Sequence, residues 1–242
     1  MGGDVLRADS FLAEILGRPA YSLDWPQGAD TAQRIAAALR GLPGQHFVYA
    51  KTSPEHCAHL HILEELGFRL TDTTVRLRKE LDPGARQPLD ARVRPARPAD
   101  SEAVAAIAAS SFRFSRFHLD PRIPRAQADL IKARWAGNFF KGLRGDSMLV
   151  AEQAGEVAGF NLILFAAGGA AIVDLIAVAP KHQRRGLGRA LLRATETARD
   201  GLKAIKLGTQ LANLQSLAFY QSEGFQLVSA EHVLHHHGAD AP

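Results

Sequence analysis

The stretch QRRGLGRALL, residues 183–192, follows directly on the apolar run IVDLIAVAP. Two glycines and three arginines open a segment in which Leu187, Ala190, Leu191 and Ala194 recur at helical spacing. A helix N-terminus offers unpaired N–H groups and the positive end of its dipole, so such a segment suits a phosphate. Glycines let the ligand approach the backbone. A Walker A loop would need Gly-Lys-Ser/Thr, which is absent. A dinucleotide fingerprint would need G-x-G-x-x-G beside a first strand; here only G-x-G is present, late in a run of strands.

Q-R-R-G-L-G-R-A resembles the Q/R-x-x-G-x-G/A loop of the GNAT acyl-coenzyme A-dependent N-acyltransferases. The likeness extends to AVAP (177–180) and to N-x-x-S-x-x-F-Y-x-x-x-G-F (213–225). It implies acetyl-CoA as co-substrate. The loop Gln183, Arg184, Arg185, Gly186, Leu187, Gly188, Arg189 and Ala190 would take the pyrophosphate, mainly through the N–H groups of 185–189. Ile176, Ala177 and Val178 would pair with the pantetheine amides, and Asn213 would bond to the same arm. Amine attack on a thioester needs a proton acceptor for the amine and a donor for the departing sulfur. The resemblance places Tyr220 as general acid and Asp174 as base, with water as the alternative base. Proton transfer from tyrosine (pKa ~10) to a thiolate (~8.5) runs uphill by roughly 2 kcal/mol, which favours hydrogen-bond donation.

Within this superfamily the chain is similar to the dTDP-fucosamine N-acetyltransferases. The likeness rests on A-x-L-x-I-L-E-E-L-G-F-R-L (58–70), F-x-x-S-R-F (112–117), W-x-x-N-x-x-x-G (135–142) and G-T-Q-x-x-N (208–213). It implies acetylation of the 4-amino group of a nucleotide-linked 4-amino-4,6-dideoxy sugar. Phe114, Ser115, Arg116, Phe117, His118, Trp135, Asn138 and Gln210 are the acceptor candidates. Arg116 suits a nucleotide diphosphate and a phenylalanine could stack on a base, though each phenylalanine taken alone reads better as core. Another amine, a protein N-terminus, or a non-catalytic acyl-CoA module are the competing readings.

The elements that must position these residues read as follows. After residue 89 come a strand, two helices (from Ser101, capped by Asp100, and over 126–142), three strands, a helix, a strand, a helix and a closing strand. Between the two early helices, 112–124 reads as irregular. This is an α/β chain of α+β type, with the GNAT fold that the resemblance implies. Residues 81–90, LDPGARQPLD, read as a linker between an N-terminal part (1–88) and a catalytic domain (89–242). Shifting TSPEHCAHLHILEELGFRL (52–70) by 157 positions lays it on TQLANLQSLAFYQSEGFQL (209–227), so the N-terminal part reads as a partial GNAT repeat that has lost its chemistry. Leu63 stands where Tyr220 does, and no Gly-Arg loop precedes it.

The 242 residues carry a net charge of +4, with basic residues spread along the chain. That excludes a basic nucleic-acid stripe. The single cysteine, Cys57, excludes an intrachain disulfide and reads as a small apolar side chain. The apolar run 160–180 contains Gly168-Gly169 and Asp174 and reads as two strands joined by a hairpin, with no membrane span and no N-terminal leader; a cytoplasmic place is expected. His235-His236-His237 alternate faces on a strand, so no metal is expected. The family likeness suggests a homodimer.

Overall fold

A computed structural model describes residues 5–26, 28, 30–82 and 89–238. The first four residues of the N-terminal segment read for a leader, the middle of the linker (83–88) and the last four residues lie outside the described residues. The chain runs β1 (Leu6–Ala8), α1 (Ser10–Leu16), β2 (Ala20–Leu23), α2 (Thr31–Arg40), β3 (Phe47–Thr52), α3 (Cys57–Glu65) and β4 (Arg69–Glu80). It continues with β5 (Val93–Pro95), α4 (Ser101–Ser111), α5 (Arg116–Leu119), α6 (Arg125–Gly137), β6 (Ser147–Gln153), β7 (Glu156–Ala166) and β8 (Ala170–Val178). It closes with α7 (Leu187–Thr195), β9 (Ala204–Gln210), α8 (Leu214–Ser222) and β10 (Gln226–His237).

The described strands make one sheet in the order β1-β2-β3-β10-β4-β9-β8-β7-β6-β5. Hydrogen bonding does not stop at the linker. β4, from the N-terminal part, lies between β9 and β10 and is antiparallel to both. The shift by 157 carries α3 onto α8 and β4 onto β10, end for end. The closing strand of each half therefore pairs with the penultimate strand of the other: β4 with β9, and β10 with β3.

Both faces of the sheet are covered. Leu187, Leu191 and Leu192 of α7 pack with Tyr220 and Phe225 on one face; Val104, Ile107 and Ala136 of α4 and α6 pack with Phe160 and Leu162 on the other. α1 shares a core with α5 and α6, where Leu12, Ile15 and Phe47 meet Phe117 and Ile131. Periodicity laid out these faces. The sequence reading missed α1, because its seven residues are too few for a clear helical period.

Several local expectations change. The run 160–180 is the β7–β8 hairpin, with Gly168 and Gly169 at φ +77° and +78°. A side chain at Gly169 would also meet the Gly201 carbonyl. Asp100 does not cap α4: its carboxylate accepts from the Arg97 N–H at 2.7 Å and pairs with Arg94. The irregular segment after Phe112 folds into the one-turn helix α5. Cys57 is exposed at the start of α3, not packed as a small apolar group.

Candidate active site

β8 and β9 run parallel and pair from Ala170↔Ala204 to Val173↔Leu207, where pairing ends. On its other side β8 pairs with β7, and the register slips between Val173↔Ile163 and Leu175↔Leu162. Asp174 is thus the extra residue of a bulge, and a bulge bends the strand that carries it. Beyond it, the edge of β8 toward β9 is open as far as Val178. An open edge offers N–H and C=O groups to an extended, amide-bearing ligand.

The opening leads into a cleft with two lobes. One, of about 260 Å³, is lined by Phe112, Lys132, Asp174, Gln210, Asn213 and Tyr220 among others. The second, of about 440 Å³, is lined by Gln183, Arg184, Gly186, Leu187, Gly188 and Arg189 with Phe219 and Tyr220. Ile176, Ala177, Val178, Gln183, Ser216 and Tyr220 border both.

Arg184 at φ +61° and Gly186 at φ +79° turn the chain into α7. The first intrahelical donor is the Ala190 N–H, which reaches the Gly186 carbonyl at 3.0 Å. Among the described residues, the N–H groups of 184–189 donate to no protein acceptor. They form a cradle for an anion at a helix start, and the residues present fit a coenzyme A pyrophosphate. The Arg189 side chain does not join it, because its guanidinium pairs with the buried carboxylate of Glu223. Gln183 turns back to donate to the Val178 carbonyl at 3.2 Å.

Tyr220 is 7% exposed, against Phe219 and Phe225, and its hydroxyl makes no hydrogen bond among the described residues. Burial pushes its pKa up to about 12. Asn213 caps α8, its Oδ1 accepting from the Ser216 N–H at 3.2 Å, so its amide N–H₂ remains to face the cleft. Asp174 is fully engaged. Arg144 Nε and Nη2 donate to its two oxygens at 2.6 Å each, and Trp135 Nε1 donates to Oδ2 at 2.8 Å. The bidentate pair and the third donor make Asp174 an anchor for Arg144 and Trp135 at the bulge.

The acceptor candidates divide. Gln210 lines the cleft. Trp135 serves Asp174, and Asn138 ends α6 through its backbone. Phe117 is 1% exposed in the core, while Phe114 is exposed. Ser115 Oγ and His118 Nδ1 lie 2.6 Å apart, and His118 Nε2 lies 3.0 Å from Asp129, so both serve the α5–α6 turn. Arg116 stacks over Tyr49 at 3.8 Å and Phe117 at 4.4 Å, behind the cleft wall. The family resemblance put these residues at the acceptor; the inward turn of α5 buries Ser115 and Phe117.

Arg144, which holds Asp174, and Lys132, which lines the cleft, escaped sequence reading. Arg144 follows a turn and carries no periodic signal. Lys132 did leave one: it sits on the buried face of α6 with Ala128, Ile131 and Ala136. Beside the cleft, the cross-strand pairs Tyr49↔His235, Lys51↔Val233, Asp72↔Val233, Thr74↔Glu231 and Thr74↔Gln210 share one face of the sheet. Of these residues Gln210 lines the cleft, and its cross-strand neighbour Thr74 belongs to the N-terminal half.

His235 and His237 share a face and meet on Asp120 Oδ2 at 2.6 and 2.7 Å, while His236 stacks on His46 from the other face. The three histidines do alternate, but two of them converge with an acid from another element. Arg18 Nη2 lies 2.7 Å from His237 Nδ1. A guanidinium only donates, so Nδ1 accepts and Nε2 carries the proton to Asp120. That tautomer spends the His237 lone pair on Arg18 and leaves none for a cation.

Residues 144–227 match the acetyltransferase (GNAT) domain family. The spore coat polysaccharide biosynthesis protein SpsD of Bacillus subtilis is 31% identical over 145 residues, 58% of this chain and 49% of that protein. The mycothiol acetyltransferase of Renibacterium salmoninarum is 26% identical over 224 residues, 88% of this chain and 63% of that one. The chain therefore spans about half to two thirds of the length of these relatives. A GCN5-related N-acetyltransferase structure from Sphaerobacter thermophilus aligns with a TM-score of 0.63 at 14% identity, over 98% of this chain and 77% of that one, and the shared fold is GNAT. No described helix is long and apolar enough to cross a membrane.

Proposed function

We propose that this chain, which carries a GNAT acetyltransferase domain, transfers the acetyl group of acetyl-CoA to the 4-amino group of a nucleotide-linked 4-amino-4,6-dideoxy sugar. The observation that carries this reading is the continuity of the cleft. A cradle of unpaired N–H groups, an open strand edge and a polar lobe meet at Tyr220. The polar lining of this lobe, with Gln210, Asn213 and Ser216, supports a hydroxyl-rich acceptor over a long apolar one. The relative named for spore coat polysaccharide synthesis supports the same class.

Bound acetyl-CoA supplies an activated acyl group. The N–H groups of 185–189 hold its pyrophosphate, the edge 176–178 orients the pantetheine, and Asn213 donates to that arm. Tyr220 sits at the junction of the lobes and donates a hydrogen bond to the departing sulfur. Full proton transfer from a phenol at about 12 to a thiolate near ~8.5 would cost about 5 kcal/mol, so donation without transfer is favoured. Asp174 holds Trp135 and Arg144 at the bulge, and the amine loses its proton to water. We place the reaction in the cytoplasm, in a homodimer, with no nucleic-acid partner and no metal.

The test is thiol release from acetyl-CoA against dTDP- and UDP-linked 4-amino sugars, with spermine and an N-terminal peptide as competitors. Turnover confined to the sugars is expected. Turnover confined to the peptide or to spermine would replace the acceptor while keeping the acyl donor.

A further inference from the structure

Lys132 is a charged residue in the acceptor lobe that none of the roles above uses. It is 8% exposed, projects from α6 and lines the cleft opposite Asp174, Gln210 and Tyr220. Its ammonium makes no hydrogen bond or ion pair among the described residues. Its neighbours are two rings, Phe112 at 4.8 Å and Trp135 at 5.0 Å.

The charges around it nearly cancel. Asp174 is neutralised by Arg144. Arg116 is offset first by Tyr49, then by Asp9 and last by Asp72, and neither Arg116 nor Asp72 has an ion-pair partner within contact distance. Arg116 Nη1 and Asp72 Oδ1 are buried and have no hydrogen-bond partner. Glu231 is taken by Arg76 and Lys51. What remains uncompensated is the ammonium of Lys132. Two aromatic faces make up for only part of the hydration that a buried ammonium loses. Consistent with this, desolvation first, and then the nearby Arg116, bring Lys132 down to about 8.

We propose that Lys132 is the specificity residue of the acceptor lobe, binding an oxyanion of the acceptor, a phosphate or a carboxylate, that completes the pocket. A buried, unpaired cation facing a ligand cavity favours an acceptor that brings the missing negative charge. The same cation repels a cationic polyamine. Lys132 touches substrate through the oxyanion and takes no proton from the amine. The proposal rests on the acetyltransfer reading for its setting and narrows its acceptor to anionic amines.

The experiment is a calorimetric titration of the coenzyme A-saturated protein, so that the pyrophosphate cradle is already filled. The probes are dTDP, inorganic pyrophosphate and glucuronate, against wild type, Lys132→Met and Lys132→Gln. Lys132 should give roughly a 10- to 100-fold advantage, the range of a hydrogen bond to a charged group. Loss of that advantage in both variants, with coenzyme A affinity unchanged, is the expected result. dTDP or pyrophosphate without glucuronate identifies a phosphate site, and glucuronate alone a carboxylate site. Equal affinities of wild type and variants for every probe would overturn the proposal, as would no binding to wild type. These outcomes need no turnover, so they stand apart from failure of the sugar assay. In kinetics, Lys132→Arg should keep acceptor KM within a few-fold of wild type. If Lys132→Met lowers kcat with acceptor KM unchanged, Lys132 acts as a base and the oxyanion role is wrong.

Discussion

Thr74 and Glu231 face one another across the β4–β10 seam, and each holds in its own half of the chain the position the other holds in its half. The pairing is symmetric about them: Thr73↔His232 on one side mirrors Val75↔Ala230 on the other, and His232↔Thr52 mirrors Val75↔Thr209. A pseudo-two-fold axis therefore passes through this pair. The two halves are interlocked by exchanged strands, and removing one strips hydrogen-bond partners from the other.

Deleting residues 1–88 should therefore leave no folded acetyltransferase. β9 and β10 would each lose the neighbour that lies between them, and unpaired edges aggregate. Soluble yield, circular dichroism and coenzyme A titration check it. A soluble truncation with undiminished coenzyme A affinity would refute the interlock.

Gly186 and Gly188 should separate on substitution by alanine. Gly186 sits at φ +79°, where an L-residue costs about 1 kcal/mol, and it borders the phosphate lobe. A Cβ at Gly188 meets only Phe219 and Val178, at 3.8 and 3.9 Å, which is ordinary contact. Gly186→Ala should lower Tm and weaken coenzyme A binding at least tenfold, while Gly188→Ala should keep Tm. Equal behaviour of the two variants would show that the turn at 186 is not what shapes the cradle.

Tyr220→Phe should lower kcat by about 10²-fold with coenzyme A affinity unchanged, in the range for a lost donor at a reacting centre. With the phenol at about 12, the alkaline limb of the wild-type rate profile should not reflect this group. An unchanged kcat with chemistry rate-limiting removes Tyr220 from the reaction.

Asp174→Asn should leave the acid limb of kcat/KM in place if, as proposed, water takes the amine's proton while Asp174 anchors Arg144 and Trp135. Indole fluorescence should shift as the Trp135 hydrogen bond changes, and acceptor KM should rise more than kcat falls. Disappearance of the acid limb in this variant would restore Asp174 as base.

Acid should destabilise the protein from below about pH 6.5. Burial holds His235 and His236 down to about 4, so the unfolded chain binds more protons between pH 4 and the ordinary histidine range. Their stabilisation is full above the unfolded pKa and is lost as pH falls toward the folded one. For the buried His235 this amounts to at most about 3 kcal/mol. Asp120, held low in the folded state by hydrogen bonds from His235 and His237, extends the loss to lower pH. Tm should fall steadily from pH 7 to pH 4.5, and a flat profile would contradict the neutral histidine pair.

Much was legible in the sequence because it is local. Gly186 and Gly188, after an apolar strand and before a helical period, carry their meaning in spacing, and so does the Asn213-to-Phe225 run. The hairpin at Gly168-Gly169 and the Gly-Phe echo between Gly67 and Gly224 follow from turn chemistry. What only the tertiary structure decided depends on which distant groups meet. Asp174 reads as a candidate base until Arg144 and Trp135 close on it. Ser115, Phe117 and His118 read as acceptor contacts until α5 turns them inward. Asp120 meets His235 and His237, over a hundred residues away in sequence, only in the folded chain. Lys132 reads only as a lysine on the apolar face of a helix until the cleft forms beside it. Spacing specifies periodicity and turns, but the partners of a charge are chosen by three-dimensional packing, and a charge's chemistry is set by its partners.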